Sequence, residues 1–322
     1  MKQARVAVRR VGQDGVLDAV RDAMESCCWQ EVVGADSRVA IKPNLCTTIP
    51  NRMRAANTSL DVIESVIKVL QSKTNNIVVV EGDGPRHTAD QAFEVSGLVN
   101  LARETGVRLL NLCNDQLVTE HHPFLGDILF PRTLLDSEVL ISLPTLKTHA
   151  LTYFTGSIKN LWGCVPRPDR ILYHRFIDRY LTDLCRKFPP RISVMDGIIG
   201  MDQRGPVNGR PRDLGIVLAS RDPVALDAAS MRVVRLDPAQ CSHIRLAADE
   251  GLGVMAESAI ELDADAELPR VTFEPARMDW ALRAMNALTG KRWFRDYFLF
   301  NDLVFYPAKW AVNVLRRVGI VR

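Results

Sequence analysis

Three lysines pose the first chemical question of this chain. Lys42 stands in Ala40-Ile41-Lys42-Pro43-Asn44, directly after an apolar run, Lys147 in Leu146-Lys147-Thr148-His149, and Lys159 in Ile158-Lys159-Asn160-Leu161-Trp162-Gly163. A lysine emerging from the end of a buried strand is partly withdrawn from water, which lowers its pKa and suits anion binding or proton transfer. Asn44 and Asn160 accompany two of these lysines, and a carboxamide orients a substrate by donating and accepting at once. Lys147 and His149 are two residues apart, so an extended backbone puts them on one face. The ammonium would then keep the imidazole neutral and able to act as a base. His174, in the loop after Gly163, is a further candidate contact.

Ammonium groups brought together repel unless an anion or carboxylates balance them. Asp83, Asp196, Asp222 and Asp227 are the candidate counter-charges. Asp227 falls among Ala225, Ala228 and Ala229, a place unfavourable for a carboxylate unless it is paired. These residues divide into a catalytic group of Lys147, His149, Asp196 and Asp227 and a substrate-binding group. The second comprises Lys42, Asn44, Asp83, Lys159, Asn160, His174 and Asp222. Cys46 and Cys164 lie just beyond two of the lysine segments. Each is a conceivable thiol nucleophile, although buried small hydrophobes are the plainer reading.

The elements that must hold these residues are short and apolar. Val6–Val8, Val39–Ile41, Ile77–Val80, Val107–Leu110, Val139–Leu143, Ile192–Met195 and Ile216–Leu218 read as strands, several covered on both faces. Between them Thr58–Lys73 carries Leu60, Ile63, Ile67 and Leu70 on one helical stripe, with Thr58 as its cap. Thr88 caps the next helix, and Asp222-Pro223 opens another through about Arg235. This alternation predicts an α/β fold, a doubly wound and mostly parallel sheet with helices on both faces. Polar residues follow several of these strands, where ligands of open parallel sheets bind. The turn Gly82-Asp83-Gly84-Pro85 offers a weak phosphate signal through its backbone N–H groups. The segment 205–211 reads as a lid or a plain connector.

Several functions are disfavoured. The 322 residues carry a net charge of only +3, and residues 1–275 are slightly acidic, so the core has no nucleic-acid signature. The seven cysteines contain no C-x-x-C pair, so no intrinsic iron–sulfur cluster is expected, and no histidine spacing indicates a transition metal. No G-x-S-x-G elbow is present. The absence of a signal sequence and of a long apolar span predicts a cytoplasmic protein.

Taken jointly, the Lys42 segment, Leu146–His149, Ile158–Gly163, Met195-Asp196-Gly197, Gly205-Pro206 with Gly209, and Asp222–Asp227 resemble the domain-of-unknown-function family 362, over roughly residues 4 to 255. Many members of that family carry a ferredoxin-like cysteine segment, which implies redox chemistry for them. This chain departs from the pattern, so the resemblance implies electron transfer here only through a separate redox partner or a soluble cofactor.

The chain divides into an α/β region, 1–275, and a tail, 276–322. In the tail Trp293, Phe294, Tyr297, Phe298, Phe300, Phe305, Tyr306 and Trp310 are flanked by basic residues. Such an amphipathic segment can lie at a membrane surface or wrap over its own core. The residues leave three functions open: an enzyme acting on an anionic carboxylate or phosphate by redox or isomerisation chemistry, a non-catalytic carrier using the same pocket, and a structural module whose lysines neutralise buried carboxylates.

Overall fold

The computed structural model describes residues 3–277 apart from Asp14, together with positions 288, 291, 294, 297 and 307. The expected amphipathic tail therefore lies almost wholly outside the described residues. The first half of the chain runs β1 (Ala4–Arg10), α1 (Gly15–Ser26), β2 (Val39–Pro43), α2 (Pro50–Ala56), α3 (Leu60–Gln71), β3 (Ile77–Glu81), α4 (Ala89–Val95), α5 (Leu98–Thr105) and β4 (Arg108–Asn111). A hairpin of β5 (Leu117–His122) and β6 (Gly126–Pro131) comes next, then α6 (Arg132–Asp136), β7 (Val139–Leu143), β8 (Thr145–His149), β9 (Tyr153–Thr155) and α7 (Ser157–Asn160). The last stretch is α8 (Ile177–Lys187), β10 (Pro190–Asp202), β11 (Arg210–Ser220), α9 (Pro223–Val233), α10 (Ser242–Asp249) and β12 (Ile260–Ala264).

Period-two alternation within the apolar runs sets the architecture. Along β3, Ile77 and Val79 enter one core while Val78 and Val80 enter another. Strands β2 and β7 do the same, with Val39, Ile41, Val139 and Ile141 on the first side and Ala40 and Leu140 on the second. Helices α1, α3, α4 and α5 cover the first face, and α7 to α10 cover the other. Strands buried on both faces have to be apolar at successive positions, which is the pattern of the sequence.

The main path of the sheet is β12-β1-β11-β10-β7-β2-β3-β4. Neighbours pair in parallel from β10 through β4 and between β1 and β12. The pairs β1–β11 and β10–β11 are antiparallel, the second because the connection 203–209 is too short for a crossover. The result is an α/β fold, a mostly parallel mixed sheet with helices around it. All seven expected strand segments are present, whereas β5, β6, β8, β9 and β12 were not anticipated. The β5–β6 hairpin is partly exposed and mixed in polarity (Glu120, His121 and His122 lie in it), so it lacks an apolar run. Within the hairpin His122 is half-buried against Asp183 and Tyr180.

Strand β8 departs from the simple alternation of strand and helix. It prolongs β7 past Pro144 and pairs with the distal part of β10, Thr145 opposite Asp196 and Lys147 opposite Met201. This extension carries Lys147 and His149 beyond the ends of the parallel strands. β9 then folds back, with Lys147 opposite Thr155, and delivers the chain into α7.

The helix starts are set by short polar side chains. Ser59, not Thr58, caps α3; the Thr58 hydroxyl instead donates to Leu143 O and accepts from Asn44 N. Asp222 caps α9, accepting from Val224 N and Ala225 N. Thr88 caps α4 in a reciprocal box with Gln91. Replacing Thr88 by Ala should therefore lower stability by about 1 kcal/mol, read as a shift of the urea midpoint without a change in slope.

Candidate functional site

At the carboxyl ends of β2, β3 and β7 a cavity of about 280 Å³ opens. Lys42, Lys147, Lys159 and Arg170 line it, together with His87, His149 and His174, and among the described residues the one carboxylate in its wall is Glu81. Asn44, Cys46 and Asn160 also line it, as do Pro206 and Val207 of the 205–211 segment. Seven expected site residues thus meet around one hollow: Lys42, Asn44, Lys147, His149, Lys159, Asn160 and His174. Asp83, Asp196, Asp222 and Asp227 are not in its wall.

The three lysines are held differently. Lys42 is fully buried and forms an ion pair with Glu81 at 2.8 Å, the last residue of the adjacent strand. Its ammonium also donates to Pro43 O and, more weakly, to Asn160 Oδ1 at 3.4 Å. Lys147 is equally buried, yet among the described residues it donates only to neutral acceptors, Cys46 Sγ at 3.1 Å and the Ala56 carbonyl. That carbonyl closes the C-terminal turn of α2, where the helix dipole favours a cation. Lys159 has neither a hydrogen-bond nor a carboxylate partner among the described residues; its ammonium lies 5.6 Å from the centre of the Trp162 ring. Burial within the cavity wall, with Arg170 and Lys147 nearby, pushes its pKa down to about 7.

Arg170, which the sequence pattern did not single out, is buried and donates to three backbone carbonyls, those of Asp83, Val165 and Arg167. Glu81 accepts from Lys42, Leu45 N and Gly82 N. Subtracting the paired Lys42 and Glu81 leaves a cavity lined by Lys147, Lys159 and Arg170 with no further carboxylate in its wall among the described residues. The turn after β3 does not present free donors to a phosphate: Gly82 N, Asp83 N and Gly84 N are engaged by Glu81, Cys113 and His87 O.

His149 is held neutral, its pKa driven well below the usual value by burial and by Lys159 and Lys147. Its Nδ1 accepts from Leu151 N and Thr152 N, so the neutral ring carries its proton on Nε2. In this state the imidazole is a hydrogen-bond donor, whereas the sequence suggested a base.

The aspartates are engaged elsewhere. Asp83 Oδ1 accepts from Ala89 N and Asn111, and Asp196 accepts from Ser59 N and Ile198 N. Asp222 holds Val254 N with its second oxygen. Asp227 accepts from Ser157 N at 2.6 Å and from Ile158 N at 3.1 Å. Burial pushes the Asp227 carboxyl up to about 7. Among the cysteines, Cys46 lines the cavity beside Lys147, while Cys164 is buried and its pKa is raised to about 12. Among the described residues no group of three or more His, Cys, Asp or Glu side chains is arranged to hold a metal ion.

Comparison with known sequences settles the kinship. The model of the family described as Domain of unknown function (DUF362) matches residues 39–232. The chain belongs to the DUF362 family. A relative, the thylakoid-associated protein sll1697 of Synechocystis, is 31% identical over 242 residues, covering 72% of this chain and 73% of the relative. Among solved structures, the lactate racemase apoprotein of Thermoanaerobacterium thermosaccharolyticum superposes with a TM-score of 0.45 at 12% identity, covering 73% of this chain. A Thermotoga maritima protein gives 0.38 at 12% identity and covers 74%. The chain spans only 58% and 60% of those two structures, and at such scores nothing functional is transferred.

The geometry gives the motif residues of this DUF362 chain physical roles. Asp227 grips the backbone at the start of α7 and thereby aims Lys159 and Asn160. Asn160 in turn donates to Lys42 O and Ser142 Oγ, tying α7 to the ends of β2 and β7. Asn44 donates to Ala56 O and Thr145 Oγ1, closing the loop that holds the Lys147 acceptor. Gly156 and Gly163 are required by closeness: a Cβ at Gly156 would overlap the Asp227 carboxylate, and one at Gly163 would overlap Lys42 and Glu81. Glu81→Gln should destabilise the fold by roughly 3–5 kcal/mol, because it leaves the Lys42 ammonium buried without a counter-charge. Chemical denaturation of both proteins measures this, and a loss below about 1 kcal/mol would mean that Lys42 finds another partner.

Proposed function

We propose that the cavity binds a small organic anion, a carboxylate or phosphate, and that the chain is an enzyme moving a proton on it. The observation that carries this reading is the imbalance of charge: Lys147, Lys159 and Arg170 line the same hollow, and the one carboxylate there among the described residues, Glu81, is already paired with Lys42. Uncompensated cations in a partly dehydrated wall attract an anion more strongly than the same groups in water. Lys147 and Arg170, fixed by backbone and thiol acceptors, would bind the charged group. His149 would donate from Nε2 to an oxygen on which negative charge develops. Lys159, with a pKa of about 7, is matched to giving and taking a proton at neutral pH. Proton transfer of this kind serves isomerisation, and it serves redox chemistry when a soluble cofactor or a separate partner supplies the electrons.

Sulfate and oxalate test the binding step, since neither changes charge between about pH 6 and 8. Both should raise the melting temperature of the protein, and Lys147→Ala should abolish the shift while leaving the protein folded. The sign of the pH dependence is set by Lys159. Its charged form binds the anion and disappears above about 7, so affinity should be about five- to tenfold weaker at pH 8 than at pH 6. A pH-independent affinity, or a Lys147→Ala protein that binds normally, would contradict the reading. Affinity without turnover across a panel of hydroxy acids, keto acids and phosphate esters would instead make the chain a carrier.

A second reading concerns the membrane surface, and the name of the thylakoid-associated relative favours it. Among the described residues no helix is long and apolar enough to cross a membrane. Attachment in this reading would be peripheral, through the aromatic and basic segment 276–322. In liposome flotation the full chain should rise with anionic vesicles, and a chain truncated after residue 275 should stay at the bottom. Failure of the full chain to float would remove this reading.

A further inference from the structure

Three amines line the cavity, and the structure gives them unequal freedom. Lys42 is tied by Glu81, Pro43 O and Asn160, and Lys147 by Cys46 and Ala56 O. Lys159 holds no acceptor among the described residues and approaches only the face of Trp162. An amine hydrogen-bonded to strong acceptors is a poor nucleophile, because its remaining protons and its charge are stabilised where they are. Lys159 has no such restraint.

We infer that Lys159 is a nucleophile that forms an imine with a small carbonyl compound bearing an anionic group, such as a 2-oxo acid. The inference rests on the anion-binding reading above and goes one step further, to the chemical class of the ligand. Lys147 and Arg170 line the wall and hold the anionic end. His149, whose protonated Nε2 is dictated by the two backbone donors on Nδ1, faces a carbonyl oxygen as a donor. The uncharged Lys159 amine adds its lone pair to the carbonyl carbon, forming the C–N bond as the C=O π pair moves to oxygen. The two protons of the amine nitrogen then leave with that oxygen as one water molecule, and the C=N bond remains. No oxidant or reductant is consumed. A desolvated lysine beside other cations is the environment in which such an amine stays uncharged at neutral pH, and the lowered pKa of Lys159 agrees with this. Positive charge in the wall has a second effect, since it holds the carboxylate of the ligand while Lys159 itself is neutral.

Reductive trapping tests the inference on the full chain. The protein is incubated with a small excess of glyoxylate or pyruvate and sodium cyanoborohydride near pH 7, and each lysine is then tracked by peptide mass mapping. The Lys159 peptide should acquire the reduced adduct at least about tenfold faster than any other lysine peptide, because surface amines are almost fully protonated there. Excess oxalate, which occupies the anion site but has no electrophilic carbonyl of this kind, should suppress that adduct and leave the slow surface labelling unchanged. The Lys159→Met protein should retain its fold and show surface labelling only. Should that variant not fold, the residue-by-residue map of the unaltered protein still decides the matter. Two failures are distinguishable. If sulfate and oxalate stabilise the protein but Lys159 is labelled no faster than surface lysines, imine formation is wrong and anion binding stands. If neither anion stabilises it and Lys159 is not preferentially labelled, both fall.

Discussion

The buried ion pair between Lys42 and Glu81 is the interaction around which the site is arranged. It joins the carboxyl ends of two neighbouring parallel strands in the interior, where an unpaired charge of either sign would be strongly unfavourable. Compared with two apolar residues of the same volume such a pair adds little stability. What it adds here is position. Asn160 reads the backbone carbonyl and the ammonium of Lys42 together, Leu45 N and Gly82 N close on Glu81, and Gly163 leaves room for both side chains. The loops that leave β2 and β3 are thereby fixed relative to α7. The pair also uses the one carboxylate of the cavity wall among the described residues, so the charge of Lys147, Lys159 and Arg170 is left over.

Around that pair, buried and half-buried aspartates act on backbone rather than on lysines. Asp222 caps α9 and holds Val254 N; from the same helix Asp227 grips the first two residues of α7. A carboxylate whose oxygens accept two backbone N–H groups is satisfied without a cation. This division of labour explains how so many acidic residues can sit near a positive cavity and still not neutralise it. It also separates the groups that position the site from those that face a ligand.

The fold was largely legible in the sequence, because apolar strands covered on both faces announce themselves as continuous β-branched runs. All seven expected runs became strands. The strands overlooked lack that signal: β5 and β6 are partly exposed, and β8 carries Lys147 and His149 inside the run. The meeting of Lys42 and Lys147 was readable from their places just after apolar runs, and that of Lys159 from its repeat of the Lys-Asn pairing, although Lys159 lies in α7. Their partners were not. Glu81 was not singled out, although it ends the strand beside the one bearing Lys42 and shares its direction. Arg170 had no strand-end position to mark it. The direction of His149 was also hidden, since the donors that fix its tautomer come from the backbone of residues 151 and 152, which no side-chain pattern encodes.

The central claim is that the cavity holds unbalanced positive charge. Crystals of the protein soaked in sodium bromide, with data collected at the bromine absorption edge, would examine it directly. The account predicts an anomalous peak inside the cavity within reach of Lys147, Lys159 and Arg170, stronger than any on the outer surface. Bromide found only on the outer surface, with the cavity empty of anomalous signal, would contradict it.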